Sequence, residues 1–238
     1  MPDDPALSVA GLTAGYGQAQ VLFGLDLTLG RGEVAALLGR NGAGKSTTLK
    51  AIMGVLRPRA GRVRVFGQDA TGLPPFRIAR LGLGWVPEDR RIFADLTVAE
   101  NLEVGRRPAR DGRPPWTEER LFAVFPNLAA MRGRRAAAMS GGEQQMLAIA
   151  RTLMGNPAAV LLDEPSEGLA PVIVEQMAEA VLAMRAEGIA VLLSEQNLDF
   201  ALGVATQAYV IEKGAIRFRG SAAALAADAA ARRALLAM

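Results

Sequence analysis

The chain has 238 residues, half of them hydrophobic, and a formal net charge of only +3. This length suits one α/β domain with a subdomain and is too short for two unrelated full-size domains. The small charge argues against a nucleic-acid partner, the absence of cysteine excludes disulfides and thiolate metal sites, and the absence of histidine excludes imidazole chemistry.

The start of the chain carries no recognisable targeting signal. Residues 1–4 lack the positive and apolar regions of a signal peptide, and no stretch reaches the apolar length that crosses a bilayer. We therefore expect a soluble, cytoplasmic protein.

The first third of the sequence predicts strands and one phosphate-binding unit. Residues 7–13 and 21–29 have the pattern of strands, and the apolar run at 34–38 is typical of a buried parallel strand. A glycine-rich loop follows, and helical spacing extends over residues 46–53. A strand near 62–66, a helix near 76–81 and a strand at 83–86 are predicted next.

The remainder predicts a helical insertion followed by a return to α/β alternation. We expect a helical subdomain at about 88–155, with the core formed by about 1–87 and 156–238. Thr97 and Glu100 have capping-box spacing, residues 106–115 form a Pro/Gly/Arg-rich loop, and 146–153 is an apolar helical run. A strand at 160–162, a helix at 172–186, a strand at 190–193 and a strand pair turning at Lys213 and Gly214 follow. An alanine-rich helix is predicted to close the chain.

The glycine-rich loop matches the phosphate-loop pattern. Its glycines let backbone N–H groups face phosphates, and the following helix adds a favourable N-terminal potential. Lys45 would reach the β/γ oxygens, and Ser46 would offer a hydroxyl to Mg²⁺, with Thr47 as the neighbouring alternative. The competing interpretation is a plain glycine-rich turn. The predicted nucleotide-binding residues here are Gly39, Arg40, Asn41, Gly42, Ala43, Gly44, Lys45, Ser46 and Thr47.

A second motif places two acids at the end of a buried strand. Asp163 suits Mg²⁺ held through water, and Glu164 suits activation of the attacking water, because phosphoryl transfer needs mainly positioning and charge stabilisation. Alone, the pair would also fit two acids that open an ordinary loop.

A third motif, Ser140, Gly141 and Gly142, precedes the helical run at 146–153. Its hydroxyl and free N–H groups could hold a γ-phosphate, and a plain helix cap is the alternative. Two phosphate-binding surfaces in one chain suggest that two chains share each nucleotide.

With these three motifs the chain resembles the ATP-binding subunits of ABC transporters over nearly its whole length. The resemblance implies an α/β P-loop NTPase fold, with a RecA-like core, an antiparallel β subdomain and a helical subdomain. It implies two chains meeting head to tail around two ATP molecules with Mg²⁺, each site combining one chain's phosphate loop with the other's Ser140, Gly141, Gly142 and Glu143. It also implies that Tyr16 stacks on adenine, the alternative being a core aromatic at a strand end.

The sequence departs from the general family pattern at three positions. The family has glutamine where Glu88 and Glu143 stand and a switch histidine where Gln196 stands. Glu88 can still sense Mg²⁺ or water and relay this to a membrane partner. Gln196 can donate a hydrogen bond to a γ-phosphate but cannot become cationic near neutral pH. The alternatives are a solvated loop acid for Glu88 and a helix-start residue for Gln196.

More narrowly, the chain resembles the second ATPase subunit of branched-chain amino acid importers. The segments that carry this resemblance are residues 39–49, 86–88, 96–102, 164–171 and 194–197. It implies a second ATP-binding subunit, integral-membrane permease subunits and, indirectly, a periplasmic solute-binding protein as partners. The chain would lie on the cytoplasmic face of the inner membrane, docking through residues 88–94 and the helical subdomain, where Arg90, Arg91, Arg106 and Arg107 are candidate contacts.

Three other functions stay open at this point. The same type of ATPase serves urea and short-chain amide import. A soluble ABC-type ATPase acting on ribosomes or DNA is disfavoured, because the chain has one phosphate loop and no heptad run. A nucleotide-binding module without turnover is the third.

Overall fold

The computed structural model describes residues 4–110 and 112–228. The strands are β1 (Leu7–Tyr16), β2 (Ala19–Leu29), β3 (Val34–Leu38), β4 (Ala60–Val65), β5 (Gln68–Asp69), β6 (Leu83–Val86), β7 (Ala159–Asp163), β8 (Ala190–Glu195), β9 (Gln207–Glu212) and β10 (Ala215–Ser221). The helices are α1 (Lys45–Ile52), α2 (Pro75–Leu81), α3 (Val98–Gly105), α4 (Glu118–Val124), α5 (Pro126–Ala130), α6 (Gly141–Leu153), α7 (Pro171–Ala186), α8 (Leu198–Val204) and α9 (Ala222–Ala227).

The strands form two sheets. An antiparallel sheet has the order β2-β1-β4-β5, and a six-stranded sheet has the order β10-β9-β3-β8-β7-β6. In the larger sheet β9, β3, β8, β7 and β6 run parallel, and β10 pairs antiparallel at one edge. This is the predicted α/β architecture with an antiparallel β subdomain.

The central strands β3, β7 and β8 of the six-stranded sheet are buried on both faces, which explains their apolar runs. In β3, Val34, Ala36 and Leu38 join the cluster that contains α6, α7 and α8. Ala35 and Leu37 join the opposite cluster, which contains α1 and the antiparallel sheet. Each fully buried leucine stabilises the fold by about 1.5–3 kcal/mol.

The strand order brings three loops together at one edge of the sheet. Because β8 lies between β3 and β7, the loops that follow these parallel strands meet at their carboxyl ends. They carry the phosphate loop, Asp163 with Glu164, and Gln196. Three motifs that lie far apart in sequence are therefore neighbours.

All predicted strands are present, but several elements have different bounds. β1 continues past residue 13 to Tyr16 because the hairpin to β2 is tight, with Gly17 at φ +52°. α6 begins at Gly141, five residues before the apolar run, because Ser140 and Glu143 form a capping box. α8 corresponds to the helix start that was the alternative interpretation of Gln196; it begins at the Asn197 cap, whose side chain accepts from the N–H of Phe200 at 3.1 Å.

The helical part of the chain lies between β6 and β7. It contains α3 to α6, and the predicted capping box of Thr97 and Glu100 opens α3. Part of the predicted alanine-rich closing helix is present as α9, which ends at Ala227, and the rest of that prediction falls outside the described residues. Within the described ranges no helix is long and apolar enough to cross a membrane, since the longest, α7, has 16 residues.

Candidate nucleotide site

The phosphate loop is shaped by glycines that no other residue could replace without strain. Gly42 and Gly44 have φ values of +79° and +113°, in the left-handed region. A Cβ on Gly39 would lie 2.6 Å from the Ile211 carbonyl oxygen. The Gly214 N–H donates to the Ala43 carbonyl at 2.9 Å, which links the phosphate loop to the β9–β10 turn.

Lys45, the first residue of α1, is 3% exposed and points into this loop. Its ammonium donates to the carbonyl oxygens of Gly39 at 2.7 Å and Arg40 at 3.1 Å. It also pairs with Glu164 Oε1 at 3.0 Å. A phosphate would compete with these acceptors for the three hydrogens of the ammonium.

Asp163 ends β7 and is 1% exposed. Its Oδ1 accepts from the hydroxyls of Ser194 at 2.7 Å and Ser46 at 3.1 Å. Burial raises the pKa of Asp163 despite these hydrogen bonds. A buried carboxylate whose hydrogen-bond donors are two neutral serine hydroxyls is an oxygen donor set that fits Mg²⁺.

Glu164 has a strained backbone with φ +47°, which a non-glycine residue adopts only where surrounding contacts enforce it. Its N–H donates to the Ser194 carbonyl at 3.0 Å, which fixes it to the end of β8. Burial alone would raise the pKa of Glu164, but Lys45, Glu167 and Gln196 outweigh burial and lower it. The carboxylate is therefore ionised and held toward the phosphate loop.

Gln196 links the third loop to the other two. Its Nε2 donates to Asn41 Oδ1 at 2.7 Å and to Glu164 Oε2 at 3.1 Å. Gln196 thus immediately precedes the Asn197 cap of α8, while its side chain bridges Asn41 of the phosphate loop and Glu164. A helix start next to Gln196 is therefore present, and the hydrogen bond of Gln196 to a γ-phosphate stays a prediction.

A cavity of about 470 Å³ lies beside the phosphate loop; Lys45 and Glu164 line it, whereas Asp163 and Gln196 do not. Tyr16 is not among its lining residues; it lies at the end of β1, about half exposed, while Val21 of β2 contributes to the lining instead. The lining also includes Glu167, which sequence reasoning did not select. The lining residues are Val21, Asn41, Gly42, Gly44, Lys45, Ser46, Thr47, Glu88, Glu164 and Glu167.

Glu88 is exposed and lies beside Asp163. It lines the 470 Å³ cavity and a second one of about 230 Å³ that Asp163 also lines. The loop that follows it is held by Arg151 of α6, which donates to the Arg91 carbonyl at 2.6 Å and the Arg90 carbonyl at 3.3 Å. Glu88 therefore lies next to Asp163, and the loop that follows it is hydrogen-bonded to α6.

Ser140, Gly141, Gly142 and Glu143 lie apart from this cavity. The Glu143 N–H donates to Ser140 Oγ at 3.4 Å, and the Ser140 N–H donates to Glu143 Oε2 at 2.7 Å. A Cβ on Gly142 would lie 2.8 Å from Ile173 Cγ2, so the close packing of α6 on α7 requires this glycine. The structure contains the predicted cap, and the N–H groups of Gly141 and Gly142 open the helix.

Sequence reasoning missed two further residues at the end of β8. Ser194 donates to Asp163, and the Glu195 carboxylate accepts from the backbone N–H groups of Ser166, Gln196 and Asn197. Ser194 and Glu195 are the last two residues of β8 and directly follow its apolar run. This was the same signal that selected Asp163 and Glu164, and it was available here as well.

Comparison with known proteins places the chain among transporter ATPases. The family model described as ABC transporter matches residues 22–167. The chain is 42% identical over 219 residues to the high-affinity branched-chain amino acid transport ATP-binding protein BraG of Pseudomonas aeruginosa, covering 92% of this chain and 94% of BraG. It is 31% identical to the lipopolysaccharide export system ATP-binding protein LptB of Escherichia coli, with 90% of each chain covered.

Solved structures share the fold. An ATP-binding cassette of an ABC transporter in its ADP conformation superposes with a TM-score of 0.77 at 29% identity, covering 91% of each chain. A nucleotide-free cassette from an ABC transporter has a TM-score of 0.78 at 28% identity and the same coverage.

Proposed function

The chain belongs to the ABC transporter family of ATP-binding proteins, and we propose that it powers the import of branched-chain amino acids or a related small polar solute. It binds and hydrolyses ATP as the ATPase subunit of such a transporter. The observation that carries the proposal is that Lys45 and Gln196 both contact the carboxylate of Glu164, beside a cavity that Lys45 and Glu164 line.

Each converging residue has a task in the proposed reaction. Lys45 and the N–H groups of the phosphate loop hold the phosphates, and Glu164 takes the proton from the attacking water. Gln196 orients the γ-phosphate from the opposite side. Ser46 and Asp163 would hold Mg²⁺, which neutralises phosphate charge when bound. Tyr16 would stack on adenine beside Val21.

The second surface belongs to the same proposal. Ser140, Gly141, Gly142 and Glu143 would face the nucleotide held by a second ATP-binding subunit. This arrangement is supported by the separation of these residues from the 470 Å³ cavity, because a single chain does not bring the two surfaces together.

A groove beside the Glu88 loop supports docking on a membrane permease segment. It has a volume of about 650 Å³, and its lining includes the exposed apolar side chains Phe76, Phe93 and Val104. Trp85 Nε1, also in the lining, is buried and finds no acceptor within the described part of the chain. Of the predicted arginines, Arg107 lines this groove, while Arg106 pairs with Glu103 at 2.7 Å.

Import of branched-chain amino acids is the preferred cargo assignment. Its support is the 42% identity with BraG, compared with 31% for LptB. Urea and short-chain amides remain alternatives within the same proposal. Cargo contacts would lie in the permease and solute-binding partners, so residues of this chain do not decide among these solutes.

The test is uptake of labelled leucine, valine and urea by a strain that lacks this chain. The strain is complemented with wild type, with Glu164→Gln, or with Glu179→Gln, which removes an exposed charge from α7. We expect leucine and valine uptake to return with wild type and Glu179→Gln only. If wild type restores urea uptake alone, urea replaces branched-chain amino acids as the proposed cargo. If the deletion strain and the complemented strain take up all three solutes equally, the import proposal is overturned.

A further inference from the structure

Glu195, the last residue of β8, contacts all three loops of the nucleotide site. Its carboxylate Oε1 accepts from the Ser166 N–H at 2.9 Å. Its Oε2 accepts from the N–H groups of Gln196 at 3.1 Å and Asn197 at 3.2 Å. Its backbone carbonyl accepts from the Gly39 N–H at 3.4 Å.

The position of these donors explains why the residue is an acid. Glu195 is 2% exposed, and the three N–H groups that approach its carboxylate need an acceptor on both oxygens. A glutamine could satisfy only one side, because its amide nitrogen would face either Ser166 or the Gln196 turn as a second donor. An apolar side chain would leave all three N–H groups without this acceptor.

We propose that Glu195 is a positioning residue that holds the loop of Glu164 and the turn of Gln196 in one fixed relation. It thereby sets the geometry of ATP hydrolysis. Ser166 lies two residues after Glu164, so the carboxylate anchors the loop that carries the general base. The same carboxylate anchors the backbone of Gln196, whose side chain lies 3.1 Å from Glu164 Oε2. This inference rests on the proposed ATPase function.

The decisive variant is Glu195→Asp. A shorter acid still accepts from the N–H groups of its own turn, as aspartate commonly does, but no longer reaches Ser166. The charge and the local turn are kept while the link to the Glu164 loop is lost. Glu195→Gln is the second variant, and Glu179→Gln is the control for charge removal on an exposed face.

Two measurements on the full-length chain test the proposal. Hydrogen exchange without nucleotide should become faster over residues 164–169 in Glu195→Asp and stay unchanged over 198–204. The kcat of ATP hydrolysis should fall about 10- to 100-fold, the usual effect of a small misplacement of reacting groups, while ATP affinity stays within about twofold. Glu179→Gln should match wild type in both measurements.

The outcomes separate this inference from the proposed function. Unchanged exchange over 164–169, or unchanged kcat, in Glu195→Asp would overturn the positioning role. Equal losses of kcat and ATP affinity would also overturn it, because they would indicate a general loss of structure. A wild-type chain that binds no ATP or never hydrolyses it would instead overturn the proposed function, and the exchange result would stand independently.

Discussion

At the carboxyl edge of the six-stranded sheet, polar side chains bond to partners 117 and 155 residues away, whereas at the start of α6 they bond to partners three residues away. The first region is a site that one chain assembles across three loops. The second is a local cap whose shape is set by neighbouring packing. In the proposed function, the first region binds the chain's own nucleotide, and the second contacts the nucleotide held by a second ATP-binding subunit.

The largest effect should come from removing the general base of the assembled region. Glu164→Gln should lower ATP hydrolysis by about 100- to 10,000-fold, the range typical of a positioned acid or base. ATP binding should persist, because the variant removes a negative charge that competes with phosphate for Lys45. Turnover by the purified chain and titration with a fluorescent ATP analogue measure the two effects.

Glu179→Gln, which changes an exposed acid of α7, is the matched control for this experiment. Retained turnover in Glu164→Gln would remove Glu164 from the role of general base. It would also leave the assembled region as a binding site without demonstrated chemistry.

Removing the cation of the same region should affect binding itself. Lys45→Ala should weaken ATP affinity by about 10- to 100-fold, since hydrogen bonds to charged groups are worth about 1.5–3 kcal/mol. Equilibrium titration with the fluorescent analogue measures this. Arg77→Ala, an exposed cation on α2, should bind ATP as wild type does. Equal affinity of Lys45→Ala and wild type would contradict the phosphate-loop assignment.

The difference between the two regions also explains what the sequence could predict. The phosphate loop, β3 and β7 have dense local signals, namely fixed glycine spacing and short apolar runs, and the predicted residues Lys45, Ser46 and Glu164 line one cavity. The contacts of Glu195 with Ser166 and of Gln196 with Asn41 depend on β8 lying between β3 and β7. Strand order is a property of the whole sheet, and no local pattern encodes it.

The cap at the start of α6, in contrast, is encoded by residues that are close together in the sequence. Ser140 and Glu143 carry the capping spacing in the sequence, and both hydrogen bonds are present. What the sequence could not supply is the packing that surrounds the two glycines. Gly141 faces the Arg90 guanidinium of the Glu88 loop, and Gly142 faces Ile173 of α7.

These two glycines sharpen the comparison. In Gly142→Ala the added Cβ would lie 2.8 Å from Ile173 Cγ2, inside packed helices, and should cost about 1–3 kcal/mol of unfolding free energy. In Gly141→Ala the nearest atom, at 3.0 Å, is the mobile end of Arg90, so stability should change by less than about 0.5 kcal/mol. Urea unfolding measures both values.

The same pair separates packing from function. Gly141→Ala should leave ATP binding by the single chain unchanged and should lower hydrolysis by paired subunits, because the added Cβ would crowd the surface that faces the nucleotide of the second subunit in the proposed arrangement. Full hydrolysis by Gly141→Ala would limit the start of α6 to a structural role.

The smallest effect concerns the pH dependence of stability at Glu195. Burial raises the pKa of Glu195, although the N–H groups of Ser166, Asn197 and Gln196 act against it. A folded-state pKa above the unfolded one means that the contribution to stability is full at low pH and is lost as pH rises through the folded pKa. The unfolding free energy of wild type minus that of Glu195→Gln should therefore decrease as the pH rises above the ordinary glutamate pKa of about 4.3. The charge of Glu195 also helps to raise the pKa of Glu167, and its loss in Glu195→Gln changes the difference in the same direction. Urea unfolding of both proteins at a series of pH values measures this difference in unfolding free energy. A difference that increases with pH would mean that the hydrogen bonds outweigh burial and lower the pKa of Glu195, as the pKa of Glu164 is lowered.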